Sequence, residues 1–178
     1  DNLLNGHNYA KTAIDVAAID ISARHYNIRV CDILGGAASE KLPAYYASGI
    51  GDPEEIAELA KDKAKQGYPR FQIKVGGRDI AIDIAVVRKV WEAVGYGIQL
   101  VVDANRGLTA SQALRLCLAC KDIPFVLEQP CSTIEEILSI RAQISHPIYL
   151  DENTENLNEI MRAISLGVCD GFGLKLSR

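Results

Sequence analysis

Lys74, Asp103, Glu128, Asp151 and Lys175 stand at matching points of a repeating pattern, in the runs FQIKVGG, IQLVVDAN, PFVLEQP, PIYLDEN and GFGLKLS. Each comes where a stretch of β-branched and large apolar residues gives way to polar residues or glycine. A charged group at the end of a buried strand costs free energy unless something there requires it. Taken singly, an acid in such a place is more often a helix cap or a solvated loop residue, and a lysine usually extends to water. The order Lys, Asp, Glu, Asp, Lys on consecutive runs carries the argument. Three carboxylates gathered at neighbouring strand ends repel one another, and a divalent cation resolves the repulsion. All-oxygen ligands with room left for water or substrate suit Mg²⁺ first and Mn²⁺ second. Two amines on opposite sides of such an ion suit acid–base chemistry on two faces of one substrate carbon. A nearby dication also disfavours the ammonium form, which moves a lysine toward the range useful for a base.

The elements that must position these groups are legible as an alternation. From residue 44 to 178, the strand-like runs AYYASGI, RFQIKV, IQLVVDAN, PFVLEQP, PIYLDEN and GFGLKLS are separated by stretches of helical period. These are PEEIAELAKDKAKQG behind Asp52 as a cap, IAIDIAVVRKVWEAV, SQALRLCLACK, TIEEILSIRAQI and NLNEIMRAISLG. Buried strands joined by crossover helices give a parallel sheet, either doubly wound or closed as a β/α barrel. A doubly wound sheet gathers ligand chemistry at one switch point. Here a polar residue punctuates strand after strand, which favours an α/β fold of the TIM-barrel type with its chemistry on the C-terminal rim. Residues 1–43 read differently: TAIDVAAIDISARHYN is a helix, and VCDILGG a short helical turn closed by glycines. They are expected to be a junction segment packed on the barrel formed by residues 44–178.

Composition narrows the class. The 178 residues are 48% hydrophobic and carry a formal charge of -4 without a basic stripe, so nucleic acid is not an expected partner. No apolar run approaches the roughly 20 residues that span a bilayer, and DNLLNGHNYA is too polar for a signal-peptide core. The five cysteines are scattered, and Cys117 and Cys120 fall inside an apolar helical run that reads as core. A reducing, cytoplasmic setting is expected. His7, His25 and His146 lie away from the strand ends and read as surface or packing residues.

With these residues in view, the sequence resembles the enolase superfamily, in its muconate lactonizing enzyme and mandelate racemase branch. The helix AIDVAAIDISARHYN with ILGG resembles the segment that joins that family's capping domain to its barrel. IKVGG resembles the K-x-K strand, VVDAN, LEQP and LDEN the metal-ligand strands, and GLKLSR the second-lysine strand. The resemblance implies a (β/α)8 barrel of which about six units are present. It implies Asp103, Glu128 and Asp151 as Mg²⁺ ligands, Lys74 and Lys175 as paired acid–base residues, and Gln72, Asn105 and Glu152 beside them. The implied chemistry is removal of a proton α to a carboxylate, with the metal stabilising the enediolate. The substrate is then a small carboxylate, handled by a racemase, epimerase or dehydratase. FQIKVGG, EQPC and LDEN look most like members acting on proline derivatives, such as cis-3-hydroxyproline dehydratases and proline-betaine epimerases. Dipeptide epimerases and o-succinylbenzoate synthases share the two-lysine layout. The family's members are often homo-oligomeric.

Two departures stand out. Gln72 replaces the first lysine of K-x-K, which removes a cation near Lys74 and leaves an amide able to bond a substrate polar group. The chain begins at Asp1 without a methionine, and an eight-stranded barrel cannot close with two strands absent, so it is expected to be part of a longer protein and inactive alone. Both features support a rival reading, a non-catalytic relative that keeps the fold and the metal. Lys74 and Lys175 oppose that reading, because metal binding alone has no use for two facing amines.

Overall fold

Every helix start in the β/α repeat has a local cause. The structure, a computed structural model, describes residues 6–175; Leu176–Arg178, the end of the GLKLSR run, lie outside the described residues. The first two helices are α1 (Asn8–Tyr26) and α2 (Val30–Ile33). Strand β1 (Tyr45–Ala47) leads to α3 (Pro53–Lys65), which has proline at its first turn, Glu54 and Glu55 near its N-terminus and Lys63 and Lys65 near its end, so its charges oppose its dipole. Asp52 holds the expected cap position, but its side chain makes no cap hydrogen bond. After β2 (Arg70–Lys74), Asp79 caps α4 (Ile80–Val94). After β3 (Gln99–Asp103), Thr109 and Gln112 form a reciprocal capping box on α5 (Ala110–Ala119). Thr133 and Glu136 do the same for α6 (Ile134–Arg141), which follows β4 (Phe125–Glu128). Then β5 (Ile148–Leu150) precedes α7 (Leu157–Leu166), which ends on Gly167 in the left-handed conformation, and β6 (Gly171–Phe172) follows.

The six strands form one sheet in the order β1-β2-β3-β4-β5-β6, and every neighbouring pair is parallel. Strand residues alternate between two faces. One set, Phe71, Ile73, Leu100, Val102, Phe125, Leu127, Ile148 and Leu150, joins helix residues such as Val86, Leu116 and Ile137 in a single apolar core. The other set holds Arg70, Gln72, Lys74, Gln99, Asp103 and Glu128, with Val101 and Val126 between them. The sheet therefore has an apolar face covered by helices and a polar face that carries the candidate chemistry.

The described residues divide into two compact units. Pro43–Gly173 contains the sheet and α3 to α7; the chain up to Leu42 and the residues from Leu174 onward make the other. The last expected strand is shorter than the run GFGLKLS, since only Gly171 and Phe172 pair as β6. Beyond Phe172 one further tie to β5 remains, from the Gly173 N–H to the Leu150 carbonyl at 2.7 Å. Cys117 and Cys120 are buried, and burial pushes their thiols up to about 12 and about 11. His146 is also buried, stacked on Phe125 with ring centroids 4.0 Å apart. Among the described residues, no helix is long and apolar enough to cross a membrane.

Candidate active site

The parallel register aligns Lys74 with Asp103, and Asp103 with Glu128, as the last residues of β2, β3 and β4. All three project from the polar face at one level. Lys74 Nζ donates to Asp103 Oδ2 at 2.5 Å and to Asn105 Oδ1 at 2.6 Å. Gln72, one pleat below on β2, is buried and donates to the same Asp103 oxygen at 2.5 Å and to Glu128 Oε2 at 3.5 Å. The amide nitrogen that stands where the family has a lysine is thus engaged with two carboxylates.

Asp151 is the residue immediately after β5 and is buried. Its carboxylate packs against Gly173, where a Cβ would lie 3.2 Å from Oδ1. Its charge reaches Glu128, whose carboxyl is pushed up to about 7, first by burial and then by the charges of Asp103 and Asp151; Arg70 and Lys74 offset this only in part. Asn105 links the strand ends sideways: its backbone N–H donates to Asp103 Oδ1 at 2.9 Å and its amide to Glu152 Oε1 at 2.9 Å. Gln72, Lys74, Asp103, Asn105, Glu128 and Glu152 are therefore one hydrogen-bonded group, with Asp151 coupled to it by charge. Lys175 follows β6 after Gly173 and Leu174, outside the strand, exposed, and in the other compact unit.

The loops that carry these groups are pinned by residues the sequence did not single out. Asp83 is fully buried and accepts from the Gly76 N–H at 2.8 Å and from Arg78 Nε at 2.6 Å, which ties down the turn after Lys74. Gly76 has φ 97 and its backbone meets that of Gly107, so closely that a Cβ on Gly76 would sit 3.0 Å from the Gly107 Cα. Arg106, left-handed at φ 69, donates to the Glu152 carbonyl at 2.7 Å. Arg70 on the polar face approaches Glu128 Oε2 at 3.7 Å. Strand alternation alone places Arg70 with Gln72 and Lys74, and that signal was available in the sequence. The roles of Asp83 and Arg106 depend on partners far along the chain.

Among the described residues, no three histidine, cysteine or acidic side chains are grouped closely enough to hold an ion as they stand. The donor chemistry nevertheless fits a hard dication. Asp103, Glu128 and Asp151 offer only oxygen, and Glu128 is pushed toward its protonated form first by burial and then by the charges of Asp103 and Asp151, both of which a bound cation would offset.

Comparison with known proteins decides the family. The model of enolase C-terminal domain-like proteins matches residues 55–178, most of the chain and strands β2 to β6. The chain belongs to the enolase superfamily. Within it, a cis-3-hydroxy-L-proline dehydratase from Roseibium aggregatum is 36% identical over 178 residues, which is all of this chain and 48% of that protein. An N-succinyl-L-Arg/Lys racemase from Bacillus cereus is 33% identical, covering all of this chain and 49% of its own. The crystal structure of a dipeptide epimerase from Enterococcus faecalis, complexed with Mg and the dipeptide L-Leu-L-Tyr, superposes with a TM-score of 0.89 at 29% identity, over 99% of this chain and 50% of that one. The chain spans about half the length of the curated relatives it matches. The six parallel strands with the helices between them are the superfamily's barrel architecture, as the strand-end punctuation led us to expect.

Proposed function

We propose that the protein of which this chain is part is a Mg²⁺-dependent isomerase or lyase that removes the α-proton of a small carboxylate, of the racemase, epimerase or dehydratase kind. The observation that carries the reading is the alignment of Lys74 with Asp103 and Glu128 at one level of the polar face, with the lysine amine 2.5 Å from the aspartate. A metal ion bound by Asp103, Glu128 and Asp151 would supply positive charge for the substrate carboxylate and for the anion left after proton removal. Lys74 takes or returns a proton on one face of the α-carbon. Its two hydrogen-bond partners, Asp103 and Asn105, hold the amine at the edge of the carboxylate group. Lys175 serves the opposite face. Gln72 fixes the Asp103 carboxylate from below, and Glu152 fixes Asn105 from the side. The names of the relatives support an amino-acid-derived substrate: a hydroxyproline, N-succinyl amino acids and dipeptides.

The test is exchange in deuterated water, followed by mass spectrometry on cis-3-hydroxy-L-proline, N-succinyl-arginine and dipeptides of both α-configurations. The complete protein should wash deuterium into the α-position of at least one of these in a Mg²⁺-dependent way. Lys74→Ala should abolish exchange for one stereoisomer and Lys175→Ala for the other. Mg²⁺ binding with no exchange on any of these compounds would favour the non-catalytic relative instead.

A further inference from the structure

We infer that Gln129 is a positioning residue for the metal site: its side chain sets the placement of Asp151 relative to Asp103 and Glu128. This rests on the metal-assisted reading above and goes beyond the ligands themselves. Gln129 follows Glu128 directly, just past the end of β4, and its side-chain hydrogen bonds go to the backbone of Asp151, Cys131 and Asn153 and to the Asn153 side chain. It is fully buried, and its backbone is left-handed at φ 36, which is uncommon for a residue other than glycine.

All the bonding capacity of its amide is used. Oε1 accepts from the Asp151 N–H at 2.9 Å and from the Asn153 N–H at 3.1 Å. Nε2 donates to the Cys131 carbonyl at 3.0 Å and to Asn153 Oδ1. The main chain adds two more ties: Gln129 N–H donates to the Tyr149 carbonyl at 2.8 Å, and its own carbonyl accepts from Arg106 N–H at 2.9 Å. One residue therefore joins the segments that follow β3, β4 and β5, the three strands that deliver Asp103, Glu128 and Asp151. Asp103 and Glu128 are already aligned by register as strand residues. Asp151 stands just past the end of β5, and the Gln129 amide holds its backbone N–H in place of a ladder bond. Only an amide does all of this: a carboxylate has no hydrogen to donate to Cys131, and an apolar side chain leaves the backbone N–H groups of Asp151 and Asn153 without this partner.

A misplaced third ligand has a distinctive consequence. Mg²⁺ demands near-ideal octahedral geometry, whereas Ca²⁺ accepts flexible coordination. Loosening Asp151 should therefore harm Mg²⁺ binding more than Ca²⁺ binding. A residue that merely stabilises the fold would lower the melting temperature and leave that ratio alone.

The experiment is calorimetric titration of the complete protein with MgCl2 and, separately, with CaCl2. Gln129→Met, similar in volume and unable to hydrogen-bond in the same way, should weaken Mg²⁺ binding about tenfold or more and Ca²⁺ binding by clearly less. Asn153→Ala removes one partner of the amide and should shift Mg²⁺ affinity in the same direction by a few-fold; it decides the matter if Gln129→Met does not fold. Ile137→Val, a core change far from the loops, should lower the melting temperature and leave both affinities as in the wild type. Mg²⁺ and Ca²⁺ affinities that fall by equal factors, or stay within about twofold of wild type in every foldable variant, would overturn the role of Gln129 while leaving the metal site standing. A wild-type protein that binds no Mg²⁺ would overturn the metal site and this inference together.

Discussion

The two faces of the one sheet differ in what they ask of the sequence. On the helix side, Phe71, Ile73, Leu100, Val102, Leu127 and Ile148 are buried among helix side chains, and their requirement is apolar volume. On the other side, the same strands hold Lys74, Asp103 and Glu128 in register, so close that burial and like charge push Glu128 up to about 7. The apolar face stabilises the fold. The polar face opposes it, and that opposition is useful only if a cation and a substrate relieve it.

The largest expected effect comes from the polar face and concerns turnover. In the Mg²⁺-loaded protein, Lys74→Ala should lower the rate with a confirmed substrate by roughly 10² to 10⁴, the usual contribution of a general acid or base, with only a modest loss of melting temperature from the ion pair with Asp103. If the rate and the melting temperature fell in proportion, the two faces would not be separable as described. The mirror experiment is Leu116→Ala, which empties a fully buried site in the helix-side core. It should destabilise the protein by about 2–5 kcal/mol in denaturant titration, with catalytic constants near wild type wherever the protein remains folded.

Glu128 gives a subtler separation. Its ordinary value is 4.5 and it is raised to about 7 in the fold, so the folded state binds the proton more tightly than the unfolded state. Without metal, stability should fall as pH rises from 4.5 to about 7, and the penalty should be complete above that range. Glu128→Gln should lose this fall with pH and be more stable than wild type at the upper end of the window, by roughly 1–2 kcal/mol once solvent screening of the partly exposed carboxyl is allowed for. Equal pH profiles of melting temperature for the two proteins would remove the electrostatic strain from the account. The smallest effect expected is at a helix start: Thr109→Ala loses the capping box with Gln112 and should cost about 1 kcal/mol without touching metal binding.

How much of this was legible beforehand follows the same division. The apolar strands around Phe71–Lys74, Leu100–Asp103 and Phe125–Glu128 could be read because each ends abruptly in a charge. The run GFGLKLS does hold the sixth strand, though among the described residues only Gly171 and Phe172 pair as β6. The capping threonines at positions 109 and 133 follow a local rule, whereas the side chain of Asp52, at the start of α3, makes no cap hydrogen bond. Gln72, Asn105 and Glu152 could be suspected from adjacency, but not their partners. Gln129 and Arg106 could not be read, because left-handed backbone at residues other than glycine and bonds to distant loops leave no periodic trace. Asp83 resembles any first-turn acid until its buried contacts with Gly76 and Arg78 are seen.

The central claim is that the polar face is built for a divalent ion, and titration calorimetry with MgCl2 on the complete protein tests it most directly. Wild type should bind one ion, and Asp103→Asn, which removes roughly one unit of ligand charge while keeping the side chain's shape, should bind it at least an order of magnitude more weakly. Equal Mg²⁺ affinity in wild type and Asp103→Asn would contradict the account.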